Sequence, residues 1–317
     1  MKRQLLAGRF GPDDHVDVPV GVDEQRTYLQ LVAGEKSLDH GIGGALTSLK
    51  RIGVFPSEIG VDLLVLAAHV HAADTRISRT EQSQDSWTRE IRLVVPVSDP
   101  VRWGTATATL KKSLDFLTGD RWTIGFRARP ARLATIAEEA PPSLICPPFD
   151  SLSLFSGGLD SLIGAIDLLE DGATPLLVSH FGEGATSDAQ GKLLTGLKKH
   201  YDKSSFERLR VGMTFDDGLV EGVGSENSTR GRSFLFLALG VFAGTDRSEC
   251  ATGPTAAGLE QYPHDASVLH GKVERPARRT RHRRGDPEPL LGQNERGDGR
   301  GLSQPSTLEE VGDGFSV

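Results

Sequence analysis

The hexapeptide Ser156-Gly157-Gly158-Leu159-Asp160-Ser161 constrains this chain more than any other stretch. It stands between an apolar run at residues 152–155 and a helix-like stretch at residues 162–170. The alternation of Leu152 and Leu154, followed by Phe155, predicts a buried strand that ends at the serine. Two glycines then permit a turn too tight for side chains, and the next helix begins with its free amides directed back at whatever the loop holds. Phosphate suits such a loop. Backbone N–H groups at Gly157 and Gly158 can close on its oxygens, Ser156 and Ser161 supply hydroxyls, and Asp160 can hold the Mg²⁺ that screens a triphosphate. The structural alternative is a plain Gly-Gly turn in which Asp160 is a first-turn acid favoured by the helix dipole. No G-x-x-x-x-G-K-[ST] pattern occurs, which disfavours transfer of a γ-phosphate.

A chain of 317 residues suggests two domains, yet a hydrophobic fraction of 37% is low for two full cores, so part of it is expected to be poorly globular. The net charge of −7 and a pI near 5.7 argue against a dedicated nucleic-acid binder and suit a soluble cytoplasmic protein. Apolar runs such as residues 63–68 are too short to cross a bilayer, and Met1-Lys2-Arg3 is not followed by a signal-peptide core. Cys146 and Cys250 are isolated and read as plain thiols.

Three regions follow from pattern. Residues 1–140 carry a mixed α+β signal: residues 59–73 suit a strand or a short helix, 91–97 a strand, and 107–117 a helix with Leu110, Leu114 and Leu117 on one side. Asp74, Arg76, Arg79, Arg89 and Glu90 beside Trp87 read as a solvated charged face with one aromatic anchor. Pro141-Pro142 and Pro147-Pro148 mark a stiff connector into residues 141–244. There, strands at 152–155, 176–181 and 206–215 alternate with helices at 162–169, 188–201 and 233–242, the pattern of a doubly wound parallel α/β sheet with its ligand at the carboxyl ends of the strands. Ser179 and His180 close the second strand, where such sheets contact a nucleotide's base and ribose mostly through backbone groups; His180 also fits a simple strand-end role. Gly231-Arg232-Ser233 opens the third helix, and an arginine fork beside free amides suits a polyphosphate leaving group, with Arg230 as the alternative.

The loop resembles the SGGxDS signature of the N-type ATP pyrophosphatases, the PP-loop ATPases of HUP-like fold. Together with residues 178–181 and 231–239 it looks like their QueC-type (7-cyano-7-deazaguanine synthase-like) branch. The stretches around Trp87-Thr88-Arg89-Glu90, Val95-Pro96-Val97 and Phe116-Leu117-Thr118-Gly119-Asp120 are similar to QatC proteins, the QueC-like members of Qat anti-phage defence systems. The resemblance implies ATP and Mg²⁺ as reactants. It also implies adenylation of a 7-carboxy-7-deazaguanine-type carboxylate followed by amide or nitrile formation, and a partner protein of the defence system. By position, Ser156, Gly157, Gly158, Leu159, Asp160 and Ser161 would hold pyrophosphate and Mg²⁺, with Asp160 as the metal ligand. Ser179 and His180 would line the nucleotide, and Arg232 would steady the leaving group. The family's structural zinc is not carried over, because its cysteine cluster is absent here. Other N-type pyrophosphatases, tRNA-modifying or amidating, and a non-catalytic remnant that binds a partner are the competing readings.

The resemblance ends near Gly244. Residues 245–317 have few aromatics, no helix or strand period and an arginine-rich run at 275–284, which reads as a disordered tail or as a nucleic-acid-binding arm, and a third account explains more. Codons for residues 245–305 can be chosen so that the frame advanced by one nucleotide encodes a family-like text. The expectation is therefore that a frameshifting deletion has left the α/β domain incomplete.

Overall fold

The computed structural model describes residues 3–33, 37–83, 85–141, 149–182, 185–202 and 205–245. The predicted connector from Pro142 to Pro148, both cysteines, and the predicted out-of-frame tail beyond Thr245 lie outside the described residues. From the N-terminus the elements are β1 (Arg3–Arg9), β2 (Glu24–Gln30), a two-stranded ribbon of β3 (Val32–Ala33) and β4 (Ser37–Leu38), α1 (Ile42–Arg51), α2 (Glu58–Arg76), α3 (Arg79–Gln82), β5 (Glu90–Val97), α4 (Pro100–Thr118) and β6 (Arg121–Ala128). A second series follows: β7 (Ser151–Leu154), α5 (Leu159–Glu170), β8 (Pro175–Phe181), α6 (Ala185–His200), β9 (Glu207–Gly212) and α7 (Arg232–Gly244).

The first sheet runs β2-β1-β5-β6 and every pairing in it is parallel. The α+β arrangement expected for residues 1–140 is corrected by this: the region is α/β, because each strand is followed by a crossover long enough to return the chain to the same end of the sheet. The second sheet, β7-β8-β9, is also parallel, as alternating strands and helices require. Among the described residues β7 pairs only with β8 and is an edge strand.

Residues 59–73, equally compatible with strand and short helix, belong to the 19-residue α2. Ser57 caps it, its side chain accepting the Gly60 N–H. Most of α2 is buried around its whole circumference, as befits a helix lying between a sheet and another helix. On one side it packs on β5 and β1, and on the other it packs on α7. Side chains from both sheets therefore share one hydrophobic cluster: Leu64, Val65 and Ala68 of α2, Ile91 and Leu93 of β5, Val178 of β8, Leu209 of β9, and Leu235, Leu239 and Phe242 of α7.

The two helices are antiparallel and fastened at both ends. At one end a Cβ on Gly60 would come within 3.4 Å of the Phe242 Cα, and the Ser57 N–H donates to the Thr245 carbonyl at 3.0 Å. At the other end the Gly231 N–H donates to Asp74 Oδ2 at 2.7 Å.

Asp74 belongs to a sealed ionic network, which corrects the reading of these charges as a solvated face. Asp74, Arg79, Arg89 and Asp120 are all buried. Arg89 Nη2 lies 2.7 Å from Asp120 Oδ2 and 3.1 Å from Asp74 Oδ1, and its Nη1 donates to the Ile77 carbonyl at 2.5 Å. Arg79 Nη1 lies 2.6 Å from Asp120 Oδ1 and also donates to the Trp87 carbonyl at 2.9 Å. Two guanidinium groups face two carboxylates, so the cluster neutralises itself where hydration is lost. Burial still pushes the Asp74 carboxyl up, against the pull of Arg89 and the Gly231 amide.

Removing one member of such a cluster strands the others. Asp74→Ala is expected to cost about 3–5 kcal/mol of unfolding free energy, the range for breaking a buried pair from one side. Because Trp103 and Trp122 report on the first sheet and circular dichroism on the whole chain, both signals should shift together in urea. A shift below about 1 kcal/mol would show that the network does not tie the two sheets.

Candidate functional site

The loop after β7 is built as its residues dictate. Phe155 is buried and its N–H reaches the Val178 carbonyl at 2.7 Å, carrying the ladder one residue past the strand. Gly157 then takes φ +89°, a left-handed value that favours glycine, and a Cβ there would lie 2.8 Å from Gln190 Cγ. Gly158 opens α5 without a side-chain cap. The N–H groups of Leu159, Asp160 and Ser161 are first-turn amides with no helical partner, placed just beyond the carboxyl end of a parallel strand. The two serine hydroxyls engage each other: Ser161 Oγ donates to the Gly158 carbonyl at 2.8 Å, and Ser156 Oγ donates to Ser161 Oγ at 3.2 Å. A bound oxyanion would have to draw these protons away from the loop itself.

Asp160 is exposed in the first turn of α5. Among the described residues no cluster of three or more His, Cys, Asp or Glu side chains surrounds it or any other point. An Mg²⁺ held there would need phosphate oxygens to complete its shell, the usual arrangement for this ion. The exposed carboxylate and the open amides beside it fit a metal-bound polyphosphate.

Gln190 of α6 organises the ends of two strands. It is fully buried, and its Nε2 donates to the Ser156 carbonyl at 3.1 Å and to the His180 carbonyl at 2.9 Å. Sequence reading passed over it. The signal was present, because Gln190 shares the helical stripe of Leu193, Leu194 and Leu197, and a polar residue on an apolar stripe needs a buried partner.

Ser179 and His180, expected together at a nucleotide, point to opposite faces of the sheet, as neighbours on a strand must. Ser179 faces α6 and its hydroxyl accepts from Arg208 Nε at 3.3 Å. His180 faces α7, where its ring lies 5.2 Å edge-on from His71 and 6.0 Å from Phe236. Both His180 nitrogens and His71 Nδ1 are buried without a well-formed hydrogen bond, the Met213 backbone being a polar group that approaches both rings. Burial lowers the His180 pKa to about 4, and burial together with the charge of His180 lowers that of His71 to about 3. Both imidazoles are therefore neutral at pH 7.

Arg230 and Arg232 are distinguished by their surroundings. Arg230 lies over the Trp87 ring at 3.7 Å and donates to the Thr118 carbonyl, so it serves to hold the two sheets together. Arg232, the first residue of α7, has no carboxylate partner among the described residues; its guanidinium lies 5.3 Å from the Phe236 ring, and its charge contributes to the lowering at His180. No hydrogen bond joins it to the residues of the loop.

Comparison with protein-family models, curated proteins and solved structures finds no match. Among the described residues no helix is long and apolar enough to cross a membrane.

The buried histidines make stability depend on pH with a definite sign. Their folded pKa values of about 3 and about 4 lie below the ordinary 6.5, so the unfolded chain binds more protons between those limits. Stability should be full above pH 6.5 and fall as the pH drops toward 4, by about 1–2 kcal/mol per histidine between pH 7 and pH 5. His71→Phe should remove its share of that slope. Equal slopes for the variant and the parent in urea unfolding would place the protons elsewhere.

Proposed function

We propose that this chain descends from an ATP-dependent, AMP-forming ligase of the QueC-like type, and that its Ser156 loop is the phosphate-binding element. One observation carries the reading: a glycine turn with positive φ at Gly157 leads from a parallel strand into a helix whose first three amides are open, with Asp160 among them. That arrangement receives a polyphosphate by hydrogen bonds and by the positive end of the helix dipole. Mg²⁺, when present with ATP, would be held by Asp160 and would screen the phosphate charge.

In the proposed reaction a heteroaromatic carboxylate of the 7-carboxy-7-deazaguanine kind attacks the α-phosphorus of ATP. The new bond is a carboxylate oxygen to phosphorus; the bond that breaks runs from phosphorus to the bridging oxygen, and pyrophosphate leaves with the electron pair. The loop amides hold the departing charge, and Arg232 offers a planar fork to its oxygens. An amine then attacks the acyl carbon, and AMP departs with the carboxylate oxygen while the nitrogen loses a proton. Ammonia would give an amide on the way to a nitrile, and a protein amine would give a conjugate. We place this chemistry in the cytoplasm, in defence against phage, with a partner protein as the amine source.

A second reading is favoured by the edge position of β7. In a doubly wound sheet the ligand crevice lies between the first strand and the strand on its other side. Among the described residues no strand pairs with β7 on that side, and Leu152 and Leu154 are only partly buried against the core; a remnant without that further strand would bind a partner without turning over ATP.

The decisive measurement is release of AMP and pyrophosphate from labelled ATP in the presence of the carboxylate. The 317-residue chain is expected to show weak or no turnover, and a version with the shifted frame and the deleted segment restored should be active. In that active version Asp160→Asn should abolish AMP release with the fold intact, and Arg232→Ala should lower kcat by about 10²-fold with less change in KM. Undiminished AMP release from Asp160→Asn would remove the loop from the chemistry.

A further inference from the structure

On the other face of the second sheet, β9 presents Arg208 and Arg210 toward α6, while Leu209 and Val211 between and beyond them enter the core. Residues two apart on a strand stand about 7 Å from each other on one face. Arg208 is half-buried, and its partners are neutral: Nε donates to Ser179 Oγ at 3.3 Å and Nη2 to Gln190 Oε1 at 3.1 Å. Arg210 Nη2 donates to Ser187 Oγ at 2.6 Å, and its guanidinium covers the Phe181 ring at 3.9 Å. This contrasts with the other shielded arginines. Arg79, Arg89, Arg127 and Arg129 each meet a carboxylate. Neither Arg208, Arg210 nor Lys192 has an ion pair among the described residues. Loss of water and the charge of Arg210 pull the Arg208 pKa downward, as two uncompensated like charges must.

These cations line an open cleft of about 580 Å³ between α6 and β9, with Thr195 and a single carboxylate, Asp188, also on its wall. Two arginine forks already positioned by hydrogen bonds, neither in an ion pair with Asp188, match the oxygens of a carboxylate or phosphate. We propose that the cleft between α6 and β9 is an oxyanion-binding site for a small molecule bearing a carboxylate or phosphate, anchored by Arg208 and Arg210 with Lys192 at its wall. The site is distinct from the Ser156 loop and stands whether or not the adenylation reading does. The two are joined through Gln190, whose oxygen accepts from Arg208 while its nitrogen holds the Ser156 carbonyl.

Calorimetric titration of the full chain at low salt with two probes tests this: inorganic phosphate, and benzoate as a planar carboxylate. Binding of phosphate, of benzoate or of both supports the site where the arginine variants weaken it, and identifies the anion the site prefers. The double variant Arg208→Gln/Arg210→Gln should weaken that binding at least tenfold. Arg210→Gln alone keeps the proposal testable if the double variant fails to fold, because Arg210 is exposed and its loss leaves the Arg208 contacts in place; it should weaken binding severalfold. Absence of binding by either probe, or equal affinities in the parent and a folded arginine variant, would overturn the assignment, the latter result locating the anion at the loop or elsewhere.

Discussion

Two arginines and two aspartates sealed from water set the terms for the rest of this molecule. An unpaired charge in that position would cost several kcal/mol, so each member dictates where the others must be. Arg89 at the start of β5 and Arg79 at the start of α3 bring Asp120 and Asp74 together, and the remaining oxygen of Asp74 is satisfied by the amide of Gly231, 157 residues further along the chain. The start of α7, and with it Arg232, is thereby located by electrostatics that belong to the first sheet.

The segment that leads into α7 is held in the same manner. Arg76 donates to the Phe215 carbonyl, Glu226 accepts from the Arg79 amide, and Glu81 accepts from the Gly224 amide. Side chains of α2 and α3 thus satisfy backbone groups of this segment that no strand takes up, and its Glu226 in turn satisfies the first amide of α3. Beneath them, α2 is shared by both sheets, α7 lies against β7 and β8 of the three-stranded sheet, and α1 packs against β9. The neutral His71–His180 contact sits in this seam, where apolar packing leaves ring nitrogens without well-formed hydrogen bonds.

Much of the second sheet was legible in the sequence, and the reason is locality. The helix expected at residues 188–201 is α6 (Ala185–His200), and that expected at 233–242 is α7 (Arg232–Gly244), because a periodic apolar stripe is written in neighbouring residues. The strand expected to run to residue 215 stops at Gly212, since the carbonyl of Phe215 is taken by Arg76 instead of a neighbouring strand. The strands β1 and β2 escaped notice for different reasons. In β1 the apolar core is the short run Leu5-Leu6-Ala7, too brief to show a period, whereas β2 is an edge strand that carries Glu24, Gln25 and Arg26. The charged cluster was misread because composition does not distinguish cations on a surface from cations facing carboxylates inside.

The sequence by itself determined the Ser156 loop, since a strand, two glycines and a helix start within a few residues leave the backbone little choice. It also determined the alternation of strands and helices that makes the second sheet parallel. Tertiary structure alone decided that Gln190 joins the loop to β8, that Ser179 and His180 serve opposite faces, that Arg230 is bound to Trp87 while Arg232 is not, and that Arg208 and Arg210 share a cleft in which neither has an ion pair among the described residues. Each of these is a contact between residues far apart in the chain, and its energy depends on burial and on the charge of the partner, neither of which a residue carries in its own identity.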